Sequence, residues 1–189
     1  MCGIVGFTGR RADREEILKA MMDAIAHRGP DGAGSYFGDG VALGHRRLSI
    51  IDIEGGRQPM FNEDKRLAVV FNGEIYNFME LRAQLQAAGH TFATDHSDTE
   101  VLLHGYEEWG EGMLEKLRGM FSFAIWDEAD QSLFCARDPF GIKPFYYYTN
   151  AEGELIFGSE IKSFLPYPGF VKELNEERLE LYLTYQYSP

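Results

Sequence analysis

The chain has 189 residues, of which 44% are apolar, with 14 Phe and 10 Tyr, so it can bury a substantial core and disorder is excluded. Its formal charge of −12, without any basic cluster, repels phosphate backbones and anionic lipids, which excludes nucleic acid and membrane surfaces as partners. No apolar run reaches the roughly 18 residues of a membrane helix, so we expect a cytoplasmic protein in which Cys2 and Cys135 are free thiols.

The first half of the chain contains both strand and helix patterns. The β-branched and aromatic run at 4–8 predicts a strand, which sets the second residue just ahead of a sheet edge. A capping box of Asp13 and Glu16 begins a helix whose apolar spacing continues to His27. The next stretch, 28–40, is rich in glycine and turn residues. Three further strands are predicted, at 41–43, 48–53 and 67–71.

The second half begins with helices and continues with strands. Asn77 favours the N-terminus of one helix, and Gly89 suits its end. A second capping box, of Ser97 and Glu100, predicts the start of another helix. Short aromatic or β-branched runs then predict an antiparallel meander, at 120–126, 132–136, 144–148 and 155–158. Two more helices close the chain, at 161–165 and after Asn175. Because strands and helices occur without regular βαβ alternation, the predicted fold class is α+β.

Cys2 can become a nucleophile that carries its own base. Once the initiator methionine is removed, the chain begins with a thiol and a free α-amine on the same residue. The reference pKa of that amine, about 8, is near that of a thiol, so the amine can take up and return the thiol proton. An accidental cysteine at a frayed end is the alternative, and position alone favours that alternative.

The sequence Asn72-Gly73-Glu74 offers an oxyanion hole for acyl transfer. It follows the predicted strand at 67–71, where an Asn amide and a Gly N–H can both point at one oxygen. An Asn-Gly hairpin turn is the plain alternative. The residues that follow lead to a helix and not to a return strand, which weakens the hairpin interpretation.

Three charged residues could bind a free amino acid, whose zwitterion needs a cation for its carboxylate and anions for its ammonium. Arg47 offers a bidentate fork, and Glu74 and Asp98 offer carboxylates. Taken one at a time, each of the three is better explained as a member of a surface ion pair.

Neither a metal site nor a nucleotide site is predicted in this chain. The glycine-rich stretch 29–34 lacks the preceding strand and the lysine of a phosphate loop. The histidines show no metal-ligand spacing, and they are His27, His45, His90, His96 and His104.

Eight motifs are spread over nearly the whole chain. They are MCGIVGF at 1–7, HRGPDG at 27–32, RLSIID at 47–52, FNGEIYN at 71–77, SDTE at 97–100, RGMFSFAIWD at 118–127, RDPFGIKPFYY at 137–147 and FGSEIK at 157–162. Together they resemble the class II glutamine amidotransferase domain of asparagine synthetases. Relatives that aminate sugar phosphates or phosphoribosyl pyrophosphate share the N-terminal cysteine but usually differ at RGPD and NGEIYN, so the resemblance favours the asparagine synthetase branch.

The resemblance implies an N-terminal nucleophile hydrolase fold, a four-layer αββα sandwich with two antiparallel sheets. It implies hydrolysis of L-glutamine to glutamate and ammonia through a Cys2 thioester. The implied site residues are Cys2 as the nucleophile, Asn72 and Gly73 as the oxyanion hole, and, around the substrate, Arg47, Leu48, Ser49, Ile50, Ile51, Asn72, Gly73, Glu74 and Asp98.

The same resemblance implies how the chain relates to a larger enzyme. Residues 2–167 would form the glutaminase domain, and 168–189 would be a closing segment that leads to an ATP-dependent synthetase domain. ATP and Mg²⁺ would belong to that second domain, which makes L-asparagine from L-aspartate, and this chain would need no cofactor. The chain stops shortly after a helix without a polar tail, which we interpret as an excised domain. The expected partners are L-glutamine, the synthetase domain and a second copy in a homodimer.

Three alternatives stay open. The ammonia could be passed to another acceptor, such as a cell-surface saccharide or a peptide antibiotic precursor. The chain could be an inactive regulatory or assembly module of the same fold. It could also be an N-terminal nucleophile amidase for a larger amide, although paired Glu74 and Asp98 suit a free α-ammonium better.

Overall fold

The computed structural model describes residues 1–48 and 56–186, which form two antiparallel sheets with helices on their outer faces. The strands are β1 Gly3–Thr8, β2 Gly32–Gly38, β3 Val41–Arg47, β4 Met60–Phe61, β5 Leu67–Ile75, β6 Gly119–Asp127, β7 Ser132–Arg137, β8 Tyr146–Thr149 and β9 Leu155–Gly158. The α-helices are α1 Arg14–Ala24, α2 Phe78–Ala87, α3 Asp98–Trp109 and α4 Glu176–Tyr185, with 3₁₀ turns at Ala26–Arg28, Gly110–Glu115 and Ile161–Phe164. The first sheet has the order β2-β3-β1-β9-β8 and the second β4-β5-β6-β7.

Alternation of side chains along the strands gives each sheet two apolar faces. On β1, Phe7 packs with α1, whereas Ile4 faces the second sheet. On β5, Val69 packs with α2 and α3, whereas Val70 faces the first sheet. Three apolar cores therefore separate four layers, which confirms the α+β class and the αββα sandwich.

The positions of several strands differ from the sequence predictions. The stretch 28–40 contains β2, and its glycines serve close packing as well as turns: a Cβ at Gly34 would lie 2.0 Å from the Gln58 carbonyl oxygen. The sequence placed Cys2 just ahead of an edge of the sheet, and this was wrong: Cys2 comes directly before β1, which is the central strand of its sheet. Of the strand predicted at 48–53, Leu48 lies outside β3 and the rest lies outside the described residues.

The strands of the second half do not form one meander. Strands β6 and β7 pair in the second sheet, while β8 and β9 pair beside β1 in the first. Local alternation predicts a strand but carries no information about which of two sheets it joins, because both sheets bury apolar residues in the same way.

The predicted helices are present, but their ends differ in detail. Helix α1 stops at Ala24, before a separate 3₁₀ turn, and the helix predicted at 161–165 is a 3₁₀ turn. The Asp13 carboxylate binds the neighbouring Arg11 at 3.1 Å instead of capping α1. Asn175 does cap α4, where its side chain accepts from a first-turn backbone N–H at 3.2 Å. Within 1–48 and 56–186, no helix is long and apolar enough to cross a bilayer.

Candidate active site

Cys2 lies at the N-terminal end of β1, beside the end of β3. The β1–β3 register pairs Gly3 with Arg46, so its continuation sets Cys2 opposite Arg47. The backbone N–H of Leu48 donates to Cys2 Sγ at 3.4 Å, and such a donor can hold a sulfur that carries negative charge. The fold thus brings Cys2 together with two residues of the predicted substrate pocket that lie more than 40 positions away.

Arg28 holds the backbone of Cys2 in place, a contact that the sequence did not indicate. Its Nε donates to the Cys2 carbonyl oxygen at 2.9 Å, and its Nη1 donates to Glu160 Oε1 at 3.2 Å. Burial opposes ionisation of Glu160, but hydrogen bonds from Lys162, His27 and Arg28 outweigh it and lower the pKa of that carboxyl. The motif HRGPDG contains Arg28, yet its partner Glu160 is 132 positions away, so only the fold reveals the pair.

Asn72 lies inside a strand, so the hairpin alternative for Asn72-Gly73 is excluded. Strand β5 continues to Ile75, and α2 begins at Phe78. The Asn72 side chain is on the same face as Val70, between the sheets, and only 2% of the residue is exposed. Its Nδ2 has no hydrogen-bond partner among the described residues. A buried donor left without a partner costs about 1–3 kcal/mol, a cost that an oxyanion beside it would remove.

Gly73 is required by the close approach of β6. A Cβ at this position would lie 2.3 Å from the Met120 carbonyl oxygen and 2.7 Å from the Phe121 Cα. Both are backbone atoms of the paired strand, so a side chain here would force β5 and β6 apart. Glycine therefore keeps the backbone of this strand, and its neighbour Asn72, in place.

Two further buried polar atoms lie between the sheets near Asn72. Ser122 pairs with Asn72 across β5 and β6, and its Oγ has no partner in the part of the chain that the structure describes. The Nε2 of His45, on β3, also lacks a partner there. Burial lowers the pKa of His45 to about 4, although a hydrogen bond with the Phe71 backbone acts to raise it. The ring is therefore neutral at pH 7. That bond joins β3 to β5 next to Asn72, and the only sequence signal for either residue is a polar side chain in an apolar strand.

Glu74 and Asp98 meet where β5 ends and α3 begins. Asp98 Oδ2 accepts from the Ile75 backbone N–H at 3.0 Å, which ties the first residue of α3 to β5. Burial raises the pKa of Asp98, and the Glu74 charge adds to the rise, although backbone hydrogen bonds oppose it. A buried carboxylate with a second acidic group beside it suits a bound cation such as an α-ammonium group.

Most of the predicted site residues therefore fall into two groups on facing sheets. The first group consists of Cys2, Arg47 and Leu48 at the ends of β1 and β3, and the second consists of Asn72, Gly73, Glu74 and Asp98 along β5 and at the start of α3. The remaining predictions, Ser49, Ile50 and Ile51, lie outside the described residues.

The fold and the family follow from comparison with known proteins. A solved structure of glutamine phosphoribosylpyrophosphate amidotransferase from B. subtilis matches this chain with a TM-score of 0.72 at 24% sequence identity. The match covers 86% of this chain and 43% of the amidotransferase chain. It shows a shared N-terminal nucleophile hydrolase fold. The family model of the glutamine amidotransferase domain matches residues 1–189. The chain belongs to this glutamine amidotransferase domain family.

Similar curated proteins include several asparagine synthetases. The chain is 48% identical, over its whole length, to asparagine synthetase [glutamine-hydrolyzing] 1 of Bacillus subtilis strain 168. It is 45% identical over 89% of its length to asparagine synthetase 3 of the same strain, and 44% identical over 86% to the enzyme of Zea mays. The chain spans 30%, 28% and 28% of the length of these three relatives.

Proposed function

We propose that this chain is the glutamine-hydrolysing domain of an asparagine synthetase and converts L-glutamine to glutamate and ammonia. The observation that carries the proposal is the Asn72 amide, a buried donor without a partner among the described residues, on the inter-sheet side of β5. It is a preorganised donor of the kind that stabilises a tetrahedral oxyanion. An inactive module would have no use for such an unsatisfied donor.

In the proposed reaction the Cys2 thiolate attacks the side-chain carboxamide carbon of glutamine. The oxyanion that forms accepts hydrogen bonds from Asn72 Nδ2 and the Gly73 backbone N–H. The α-amine of Cys2, free once Met1 is removed, gives a proton to the departing ammonia. Water then attacks the γ-glutamyl thioester and gives up a proton to the α-amine, the C–S bond breaks to release glutamate, and the α-amine passes that proton to the Cys2 sulfur.

The substrate's own charges are met by the remaining residues. Arg47 binds the α-carboxylate of glutamine, and Glu74 with Asp98 binds the α-ammonium. The backbone of Leu48, whose N–H reaches Cys2 Sγ, borders the pocket. A free amino acid thus fits better than an amide within a peptide, which has no α-ammonium.

In the larger protein that we propose, a second domain uses ATP and Mg²⁺ to activate L-aspartate and takes up the ammonia. The size of the relatives supports this proposal, since the chain matches less than a third of their length. Exposed apolar side chains between β7 and the last 3₁₀ turn are candidates for contact with that domain, and they are Phe140, Ile142, Tyr146, Tyr147 and Ile161.

The test is the intact mass of the chain before and after treatment with 6-diazo-5-oxo-L-norleucine, a glutamine-shaped electrophile. We expect a mass without Met1, one adduct on Cys2, and protection by L-glutamine. Cys2→Ala should take no adduct. Cys135→Ala is the matched control and should react normally, because burial raises the pKa of the Cys135 thiol to about 12. A folded chain without Met1 that takes no adduct, or takes it on Cys135, would contradict the proposal.

A further inference from the structure

Two histidines and a glutamate meet where α2 ends and α3 passes beside it. His104 and Glu107 are one turn apart on α3, and His90 lies three residues after α2. The Nδ1 atoms of His104 and His90 lie 2.9 Å and 3.7 Å from the same oxygen, Glu107 Oε2. One ligand atom from each of the three residues lies within 4.8 Å of the other two. Ligands of a tetrahedral zinc ion are about 3.3 Å apart, so small side-chain shifts would suffice to hold one.

Each imidazole is backed by a carboxylate on its other nitrogen. His90 Nε2 lies 3.2 Å from Glu108 Oε2, and His104 Nε2 lies 3.8 Å from Glu63 Oε1. A metal-bound histidine usually donates its second N–H to a carboxylate, which selects the tautomer and orients the ring. The cation would replace the 2.9 Å hydrogen bond from His104 Nδ1 to Glu107 Oε2, and with the ring protons on Nε2 both Nδ1 lone pairs would face the ion.

The third ligand and the buried ring are also held in place. Asn62 Nδ2 donates to Glu107 Oε1 at 2.8 Å and leaves Oε2 for the centre. The His104 side chain is only 1% exposed, and its ring packs edge-on against Phe92 with centroids 4.6 Å apart. The Glu107 side chain is 28% exposed, so solvent can reach the centre and supply a fourth ligand.

The charges around the centre favour a cation, and the ligand types select its class. The carboxylates within reach are Glu63, Glu100, Glu107 and Glu108. The cations Arg57 and Lys65 line the adjoining cavity of about 450 Å³, so the acidic groups outnumber them. Two imidazoles and one carboxylate suit zinc and related transition metals, whereas Mg²⁺ and Ca²⁺ prefer oxygen ligands alone.

We propose that His90, His104 and Glu107 bind one zinc-class divalent cation, with water as the fourth ligand, that clamps the end of α2 to α3. The sequence predicted no metal site, because the ligands come from α3 and from the loop that precedes it and show none of the usual spacing. Helix α3 begins with Asp98, so the clamp would stabilise the element that carries this substrate-binding carboxylate. The site does not depend on glutamine hydrolysis.

The experiment uses the whole chain, stripped of metal with a chelator and then titrated with Zn²⁺ or Co²⁺. We expect one ion per chain, an absorption spectrum typical of four-coordinate Co²⁺ without thiolate, and a rise in Tm of about 5–10 °C at free zinc 100-fold above Kd. Mg²⁺ at the same concentration should leave Tm unchanged. Failure to bind zinc stoichiometrically, or a spectrum with thiolate ligation, would overturn the proposal.

Variants separate the proposed centre from other zinc-binding groups. His90→Gln and Glu107→Gln should weaken zinc binding by about 100-fold or more, and Glu108→Gln by about 10–100-fold because it removes a supporting carboxylate. His96→Gln, at an exposed histidine outside the cluster, and Cys2→Ser should bind zinc as the unmodified chain does. Zinc binding that survives in both His90→Gln and Glu107→Gln, or is lost in Cys2→Ser, would refute the site.

Discussion

Several polar side chains between the two sheets lower the stability of the fold, and we propose that some of them serve substrate binding and catalysis. Asn72, Ser122 and His45 each bury a polar atom that has no partner among the described residues, which costs folding free energy. At the end of β5, burial and the nearby Glu74 charge raise the pKa of Asp98. Such arrangements are unfavourable in an empty pocket and become favourable when a substrate supplies the missing charge or acceptor.

Replacement of Asn72 by alanine should separate activity from stability. We expect Asn72→Ala to lower kcat for glutamine hydrolysis by about 10²–10³-fold, since one oxyanion donor is lost. Removal of an unsatisfied donor offsets the small cavity, so Tm should change by less than about 3 °C. Steady-state kinetics and calorimetry measure the two effects. Asn150→Ala, at the turn before β9, is the matched control and should leave kcat unchanged; equal kcat in the two variants would exclude Asn72 from the oxyanion hole.

The raised pKa of Asp98 predicts a pH effect on substrate binding. As pH falls through that pKa, Asp98 becomes neutral and the pocket loses a negative charge for the α-ammonium. The acid limb of kcat/KM should therefore lie at a higher pH than an ordinary Asp would give. Glu74→Gln removes the like charge and should move this limb to lower pH, while it also raises KM. An acid limb that does not move in Glu74→Gln would argue against the coupling of the two carboxylates.

At the scale of elements, turns and helix starts position the site residues. The 3₁₀ turn Ala26–Arg28 lays Gly29 against the end of β3, where a Cβ would meet the backbone of Arg46 and Arg47 at 2.3–2.5 Å. Pro30 then forms an isolated β-bridge with Arg47, and the Asp31 N–H donates to the Arg47 carbonyl oxygen at 3.0 Å. This contact fixes Arg28 and Arg47 relative to the nucleophile.

Gly29→Ala should therefore damage both stability and activity. Forced separation of two backbones typically costs about 1–3 kcal/mol, which corresponds to a Tm lower by about 2–10 °C. The displacement of Arg47 should also raise KM for glutamine. Gly112→Ala is the matched control, because nothing lies within 4 Å of its Cβ and its φ is not positive, and its Tm should stay equal or rise slightly. Calorimetry that finds the same Tm for both variants would rule out the close contact.

Helix ends were the least predictable feature at this scale. Asp13 and Glu100 fit the capping-box pattern, yet Asp13 binds Arg11, and Glu100 accepts from two backbone N–H groups of the loop before α3. Several local partners compete for each carboxylate, so the pattern located the helices correctly without determining the bond that each side chain makes.

For the whole molecule, the packing of one sheet against the other sets the distance between the two groups of candidate site residues. Cys2 and Arg47 belong to the first sheet and Asn72 to the second, so their separation is set by the apolar core between the sheets. Phe157 lies in that core, fully buried, with its ring stacked on Phe145 at a centroid distance of 5.4 Å. The inter-sheet core therefore aligns Cys2, the proposed nucleophile, with Asn72 of the proposed oxyanion hole.

Phe157→Ala should destabilise the chain by about 3–5 kcal/mol and lower kcat/KM as well, because the sheets lose the ring that spaces them. Denaturant unfolding and steady-state kinetics measure both losses. Phe140→Ala is the matched control, since Phe140 is 89% exposed, and it should change stability by less than about 0.5 kcal/mol. Unchanged kcat/KM in a folded Phe157→Ala chain would mean that the inter-sheet core does not align the site.

The sequence by itself determined the α+β class and most strands and helices, and it predicted the chemistry of Cys2, Asn72, Arg47, Glu74 and Asp98, because periodicity and residue type are local properties. Only the tertiary structure decided that β8 and β9 pair beside β1, that Arg28 and Glu160 hold the Cys2 backbone, and that His45 and Ser122 lie beside Asn72. It alone brought His90 to His104 and Glu107. These juxtapositions join residues far apart in the chain, and what places them together is the burial of three apolar cores, which no local spacing encodes.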